Sequence, residues 1–276
     1  MKIESFDSTK IDYNIKKNSK LCLIFVHGWA NNKTTWKNEI KFFEKKGYSI
    51  ISLDLRGHGQ SDKPENKEMY TIESFAKDIH CIIKKEEVEQ CVLIGHSMGG
   101  MISLMYYKLF EYEHKVKALI LCDTTSNNVL EHKKMNVLLP FTKQLLDFII
   151  EHQTISHNHF KHLKNVDLST YTTASDYRVF YEGLHNTPLK SVFSCLESML
   201  NLNLKSVLSK INVPVLIIEG ADDTILPKID STEMFNQIKN AEIHYVYKGK
   251  HFTNIGNVKT INKCILNFLV KHQLEK

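Results

Sequence analysis

No apolar run in this 276-residue chain approaches the ~18 residues that a membrane-spanning helix needs. The opening Met-Lys-Ile-Glu-Ser-Phe-Asp has no apolar stretch of the signal-peptide kind. Six cysteines (Cys22, Cys81, Cys91, Cys122, Cys195 and Cys264) form no C-x-x-C pair, and their even number alone does not make a disulfide scaffold. Several sit within apolar runs, where cysteine behaves as a small hydrophobe. These absences predict a reduced, cytoplasmic protein. Internal repeats and low-complexity tracts are missing too. The 36 Lys+Arg against 31 Asp+Glu leave a formal charge of only +5, scattered along the chain. No basic stripe with interleaved aromatics stands out, so nucleic acid is not an expected partner. What remains is an ordinary globular composition, 42% hydrophobic and 24% charged, long enough to bury a substantial core in one domain with room for an insertion.

Apolar runs and helical patterns alternate. Strands are predicted over Leu21–Val26, Tyr48–Leu53, Cys91–Ile94, Val116–Cys122, Val213–Glu219 and Glu242–Tyr247, each a short apolar run bounded by turn residues. Helical spacing falls between them at Trp36–Lys46, Tyr70–Lys85 (with Thr71 as cap), Met98–Phe110, Asp230–Ile238 and Val258–His272. Strands separated by helices imply a parallel sheet covered on both faces. The short runs Lys2–Phe6 and Ile11–Ile15 suit an antiparallel hairpin at one edge. From about Thr124 to Lys210 the rhythm stops. Helical stretches at Lys134–Leu139, Thr142–His152, His157–Leu163, Ser175–Leu184 and Ser191–Leu200 predict an inserted helical cap over 124–210, with 1–123 and 211–276 forming the α/β core.

The stretch Gly95-His96-Ser97-Met98-Gly99-Gly100 is G-x-S-x-G set between a strand and a helix, the context of a nucleophile elbow. Side chains at the two flanking glycines would collide with the neighbouring strand and helix. A helix start behind Ser97 aims backbone N–H groups at an oxyanion beside it. Further motifs follow other strands: His27-Gly28-Trp29, Asp54 to Asp62 (Asp-Leu-Arg-Gly-His-Gly-Gln-Ser-Asp), Gly220 to Pro227, and Gly249-Lys250-His251-Phe252. In this order they resemble the α/β-hydrolases of the serine esterase type with a helical cap, over nearly the whole chain apart from that cap.

The resemblance implies an α/β-hydrolase fold with a mostly parallel eight-stranded sheet. It implies Ser97 as nucleophile and His251, in the loop after the last strand, as its base. Asp223 stands first as the acid that orients His251. Asp123 is second, since some members place the acid after the preceding strand, and Asp222 is third. Backbone N–H groups of Trp29 and Met98 are the implied oxyanion hole. His27, Arg56, His58 and Asp62 read as support for the site, and His96 as packing. His152, His157, His159 and His162 crowd one segment without companion Cys or carboxylate ligands, so a solvated face is the better reading and no metal is assigned. The chemistry requires no cofactor.

A serine at the elbow argues against epoxide hydrolases and haloalkane dehalogenases of this fold, which use aspartate there. Carboxylesterase, thioesterase, lactonase, C–C bond hydrolase and cofactor-free perhydrolase all share the remaining parts. The expected substrate is a small-molecule acyl ester. The His-Gly-Trp opening with Trp36 and the cap also resembles the esterases that demethylate pimeloyl-carrier-protein methyl ester. In that reading Lys133, Lys134, Lys143, Lys161 and Lys164 would meet an acidic acyl carrier protein. Leu138, Leu139, Phe141, Leu145, Phe148 and Phe180 are the apolar cap residues available to line an acyl pocket, or simply to pack on the sheet. A non-catalytic ligand sensor on the same fold is the rival from another class; multiple turnover against single acylation separates the two.

Overall fold

A computed structural model describes residues 1–129, 164–173 and 175–274. Eight strands form one sheet in the order β1-β2-β4-β3-β5-β6-β7-β8. They are β1 Lys2–Glu4, β2 Lys10–Lys16, β3 Leu21–Val26, β4 Ser49–Leu53, β5 Gln90–His96, β6 Val116–Cys122, β7 Val215–Gly220 and β8 Ala241–Val246. The hairpin β1–β2 and its junction with β4 are antiparallel, and every later pairing is parallel. This is the α/β-hydrolase fold, with the mostly parallel sheet and edge hairpin that the sequence predicts.

The central strands are continuously apolar because both faces are covered. On β3, Cys22, Ile24 and Val26 enter one buried cluster while Leu21, Leu23 and Phe25 enter the other, the period-2 alternation of a strand. The first face is covered by α2 (Ile72–Lys85) and α3 (Met98–Phe110), with residues between Cys195 and Ile211 joining that cluster. Phe43 of α1 (Lys37–Lys45) covers the second face with Ile261, Ile265, Phe268 and Leu269 of α7 (Val258–Lys271). Thr71 caps α2 as predicted, its hydroxyl accepting from the Ser74 N–H at 3.0 Å.

Between β6 and β7 the described residues include α4 (Asp176–His185) and α5 (Leu189–Leu200). Ser175, predicted as the first residue of α4, is its N-cap. Helix α5 begins two residues before the predicted Ser191, because Pro188 sits at the N-cap with a helix-compatible φ of −55°. The predicted helices Lys134–Leu139, Thr142–His152 and His157–Leu163 lie outside the described residues. One further helix, α6 (Lys228–Gln237), precedes β8.

Parallel strands all point their C-terminal ends to one rim of the sheet, where ligands of such folds collect. His27 follows β3, Asp54 follows β4, Ser97 follows β5, Asp123 follows β6, Asp223 lies just past β7 and His251 lies past β8. Side chains as far apart in the chain as Ser97 and His251, 154 residues, meet there.

Candidate active site

Ser97 sits between β5 and α3 with φ 52° and ψ −121°. That backbone is unfavourable for a residue with a Cβ and is held only by its surroundings. The Ser97 N–H donates to the Cys122 carbonyl at 2.9 Å, and the Thr124 hydroxyl donates to the Ser97 carbonyl at 2.6 Å. Both anchors come from the β6 end. The flanking glycines permit the turn by close approach. A Cβ on Gly95 would lie 2.3 Å from the Gly99 carbonyl oxygen, and one on Gly99 would lie 2.3 Å from that of Val26.

His251 is buried, and three parts of the fold, the elbow, the loop after β7 and α4, hold its four polar groups. Its Nε2 is 3.1 Å from the Ser97 Oγ, and its Nδ1 is 2.8 Å from the Asp223 Oδ2. Its backbone N–H donates to the Asp176 Oδ2 of α4 at 2.9 Å, and its carbonyl accepts from the His96 Nε2 at 2.7 Å. A carboxylate on Nδ1 requires the proton there, so the Nε2 lone pair faces the serine hydroxyl. Burial opposes a charged imidazolium, but the hydrogen bond and charge of Asp223, with the charges of Asp123 and Asp176, hold the ring above the ordinary histidine value.

Asp223 is fixed by its own loop: the Ile225 and Leu226 N–H groups donate to its Oδ1 at 2.7 and 3.0 Å. Burial would raise its pKa, but the His251 hydrogen bond and charge and these two N–H groups hold it below the usual carboxylate value. Asp123 does not reach the ring. Its Oδ1 accepts from the Gly220 N–H at 2.8 Å, and its Oδ2 is bonded to the Thr253 hydroxyl and accepts from the Thr253 N–H at 3.3 Å. Burial pushes Asp123 up to about 8 despite the His251 charge. Asp222 is exposed, with its N–H donating to the Gly249 carbonyl at 2.7 Å.

Trp29 and Met98 flank the serine. Met98 is the first residue of α3, where N–H groups have no acceptor within the helix. Trp29 lines the same cavity as Ser97 and His251, its indole N–H donating to the Val192 carbonyl at 2.8 Å. Two buried histidines brace that loop. The His58 Nε2 accepts from the Ala30 N–H at 3.2 Å, and the His27 Nε2 accepts from the Leu55 N–H at 3.0 Å. Burial drives both to about 3, so each stays neutral with its Nδ1–H donated to a carbonyl. Arg56 supports the same side through Asp78 and Asp7, its guanidinium N–H groups 2.6 Å from each. Asp62 accepts from the Lys10 N–H at 3.0 Å.

The cavity above the serine has a volume of about 480 Å³, within the range of small-molecule sites. Trp29, Phe180, Leu196, Met199, Leu226 and Phe252 give it an apolar wall. Of the apolar residues assigned from sequence to the predicted cap, Phe180 alone is among the described ones; Leu138, Leu139, Phe141, Leu145 and Phe148 lie outside them, as do His152, His157, His159 and His162. Two roles escaped the sequence reading. His96 holds the His251 carbonyl rather than merely packing, and Asp176 holds its N–H. A histidine inside the elbow was the visible signal for the first; the second contact joins positions 75 apart and leaves no local pattern.

Asp123, Glu219 and Asp223 place carboxylate oxygens within 4.8 Å of one another. The oxygens of Asp123 and Asp223 are already committed to N–H and hydroxyl donors and to His251, which leaves an ion little to bind. Burial, with the nearby carboxylates, raises Glu219 to about 10. Chemically, the arrangement is a serine hydroxyl facing an oriented base, beside a helix start and under an apolar chamber.

A family model described as alpha/beta hydrolase fold matches residues 22–258. The chain is 26% identical over 260 residues to "AB hydrolase superfamily protein YisY" of Bacillus subtilis, covering 89% of this chain and 90% of the relative. In structure it is similar to a thermophilic esterase from Thermogutta terrifontis, with a TM-score of 0.78 at 18% identity, covering 99% of this chain and 98% of the other. It is similar as well to a bromoperoxidase from Bacillus anthracis, with a TM-score of 0.74 at 21% identity, covering 98% and 99%. At such identities the two structural likenesses speak for the fold.

Proposed function

The chain belongs to the alpha/beta hydrolase fold family, and on that premise we propose that it is a serine hydrolase cleaving a carboxylic ester, thioester or lactone through an acyl-enzyme on Ser97. The observation that carries this reading is the continuous relay from Ser97 Oγ to His251 Nε2 and from His251 Nδ1 to Asp223 Oδ2, at 3.1 and 2.8 Å.

A serine hydroxyl is a poor nucleophile until its proton is taken. As Ser97 Oγ bonds to the substrate carbonyl carbon, its proton passes to His251 Nε2, and Asp223 stabilises the imidazolium without accepting that proton. The carbonyl oxygen becomes an oxyanion, for which the backbone N–H groups of Trp29 and Met98 are the proposed donors. On collapse the bond to the leaving oxygen or sulfur breaks, and His251 returns its proton to that atom. A water then gives a proton to His251 and its oxygen to the acyl carbon, and Ser97 recovers its hydrogen as the carboxylic acid departs. No step calls on a cofactor. The apolar wall of the cavity favours an uncharged hydrocarbon acyl chain over a polar one.

The test is a panel of p-nitrophenyl esters of increasing acyl length, assayed with wild type and Ser97→Ala. Multiple turnovers by the wild type and a loss of about 10³-fold or more in the variant are expected. Equal rates would overturn the reading, and a single acylation without turnover would favour a ligand sensor. A narrower form, with a methyl ester carried on an acidic acyl carrier protein, is supported by the cap lysines, of which Lys164 is described and exposed. Growth restored to an esterase-deficient biotin auxotroph is its expected outcome.

A further inference from the structure

Helix α4 lies across the site and touches both loops on which the chemistry depends. Ser175 starts it, its hydroxyl accepting from the Arg178 N–H at 3.4 Å. Asp176 follows in the first turn, where a carboxylate is favoured by the helix dipole, and accepts the His251 N–H. In the next turn Val179 packs in a buried cluster with Phe252 and Ile255, the residues just after the base. Phe180 packs against the same cluster and also meets the Trp29 ring, with centroids 5.4 Å apart.

The last turn presses on the loop that carries the proposed donor. A Cβ on Gly183 would lie 2.1 Å from the Ala30 carbonyl oxygen, so the helix seats here only because the position is glycine. Ala30 itself has φ 53°, a conformation that its neighbours must maintain. Ten residues at ~1.5 Å rise give a span of ~15 Å, enough to join the His251 loop to the Trp29–Ala30 loop over the cavity.

We propose that α4 is a positioning strap for the reaction, with Asp176 fixing the backbone of the base and Gly183 seating the helix against the loop of the oxyanion donor. This rests on the acyl-transfer reading of Ser97 and His251. Asp176 touches the histidine backbone and not the reacting atoms, so it acts through His251. It contributes in two separable ways: an acceptor for the N–H, and a negative charge near the ring. The charged and titratable groups facing that ring are Asp223 and Asp123 from the strand ends, His96 from the elbow and Asp176 from the strap; the neighbouring Lys250 is exposed.

The experiment compares wild type, Asp176→Ala and Asp176→Asn on the best p-nitrophenyl ester, with the His251 ring followed by NMR in histidine-labelled protein and assigned with His251→Gln. Asp176→Ala is expected to lower kcat about tenfold with KM changed less than about twofold, the pattern of a misplaced group rather than a lost contact to substrate. Asp176→Asn keeps an oxygen for the N–H, so it recovers most of kcat. In both variants the His251 titration moves to lower pH, because the charge is gone. Asp176 is half-exposed, and unchanged thermal melts check that both variants fold. Wild-type kcat and wild-type titration in Asp176→Ala would overturn the strap, as would an Asp176→Asn no faster than Asp176→Ala. Absence of Ser97-dependent turnover in wild type would instead overturn the acyl-transfer reading, and the NMR titration, which needs no substrate, then decides the strap alone.

Discussion

Asp123 and Asp223 both face His251, but they differ in what else they touch. Asp223 takes the ring Nδ1–H on one oxygen and two loop N–H groups on the other, all of which favour its charged form. Asp123 is tied instead to Gly220 and Thr253, and burial pushes it up to about 8. An asparagine in place of Asp223 presents an amide that lets the imidazole settle in the wrong tautomer. We expect Asp223→Asn to lower kcat about 10³- to 10⁴-fold. Asp123 spends its oxygens on Gly220 and Thr253 rather than on the ring, so Asp123→Asn should cost less than about tenfold. Steady-state kcat on a p-nitrophenyl ester separates the two; equal losses would mean that both aspartates orient the base.

At the scale of elements, the packing of α3 against β3 decides whether the elbow exists. The Gly99 Cα faces the Val26 carbonyl at a distance that admits no Cβ, and backbone cannot step aside as a flexible side chain can. Gly99→Ala should therefore destabilise the fold by about 2 kcal/mol or more and reduce turnover together with it, read by urea unfolding and ester hydrolysis. This junction was legible from sequence, since G-x-S-x-G lay between an apolar run and a helical pattern. Helix α3 and strands β3 and β6 take their predicted bounds because burial on both faces makes the sequence signal continuous. Strand β5 runs on to His96 because that residue pairs with Cys122 of β6, a long-range cause with no local trace. The same limit explains Asp176. Chain order and loop position single out Ser97, Asp223 and His251, whereas the strap depends on where α4 comes to rest.

For the whole molecule, the buried titratable groups set the pH range in which the fold is most stable. Asp123 and Glu219 have folded values near 8 and 10, against ordinary values of 3.8 and 4.5. Through the window between, the folded state keeps protons that the unfolded chain has released, so stability falls as pH rises. His251, also raised, contributes stability that is full below the ordinary histidine value and is lost as pH climbs through its folded value. Asp223 works in the opposite sense, but its contribution, from a depressed value, is complete once pH exceeds the ordinary carboxylate range. The neutral His27, His58 and His96, held to about 3, cost stability at acid pH that is recovered as pH rises to the ordinary histidine value, and they change nothing beyond it. Between pH 7 and 9 the raised groups therefore act without opposition from these. Thermal melts across that interval should show a falling midpoint. Glu219→Gln, which removes the group with the widest window and leaves a neutral side chain of similar shape, should flatten the fall; a slope identical to wild type would show that Glu219 ionises freely in the folded protein.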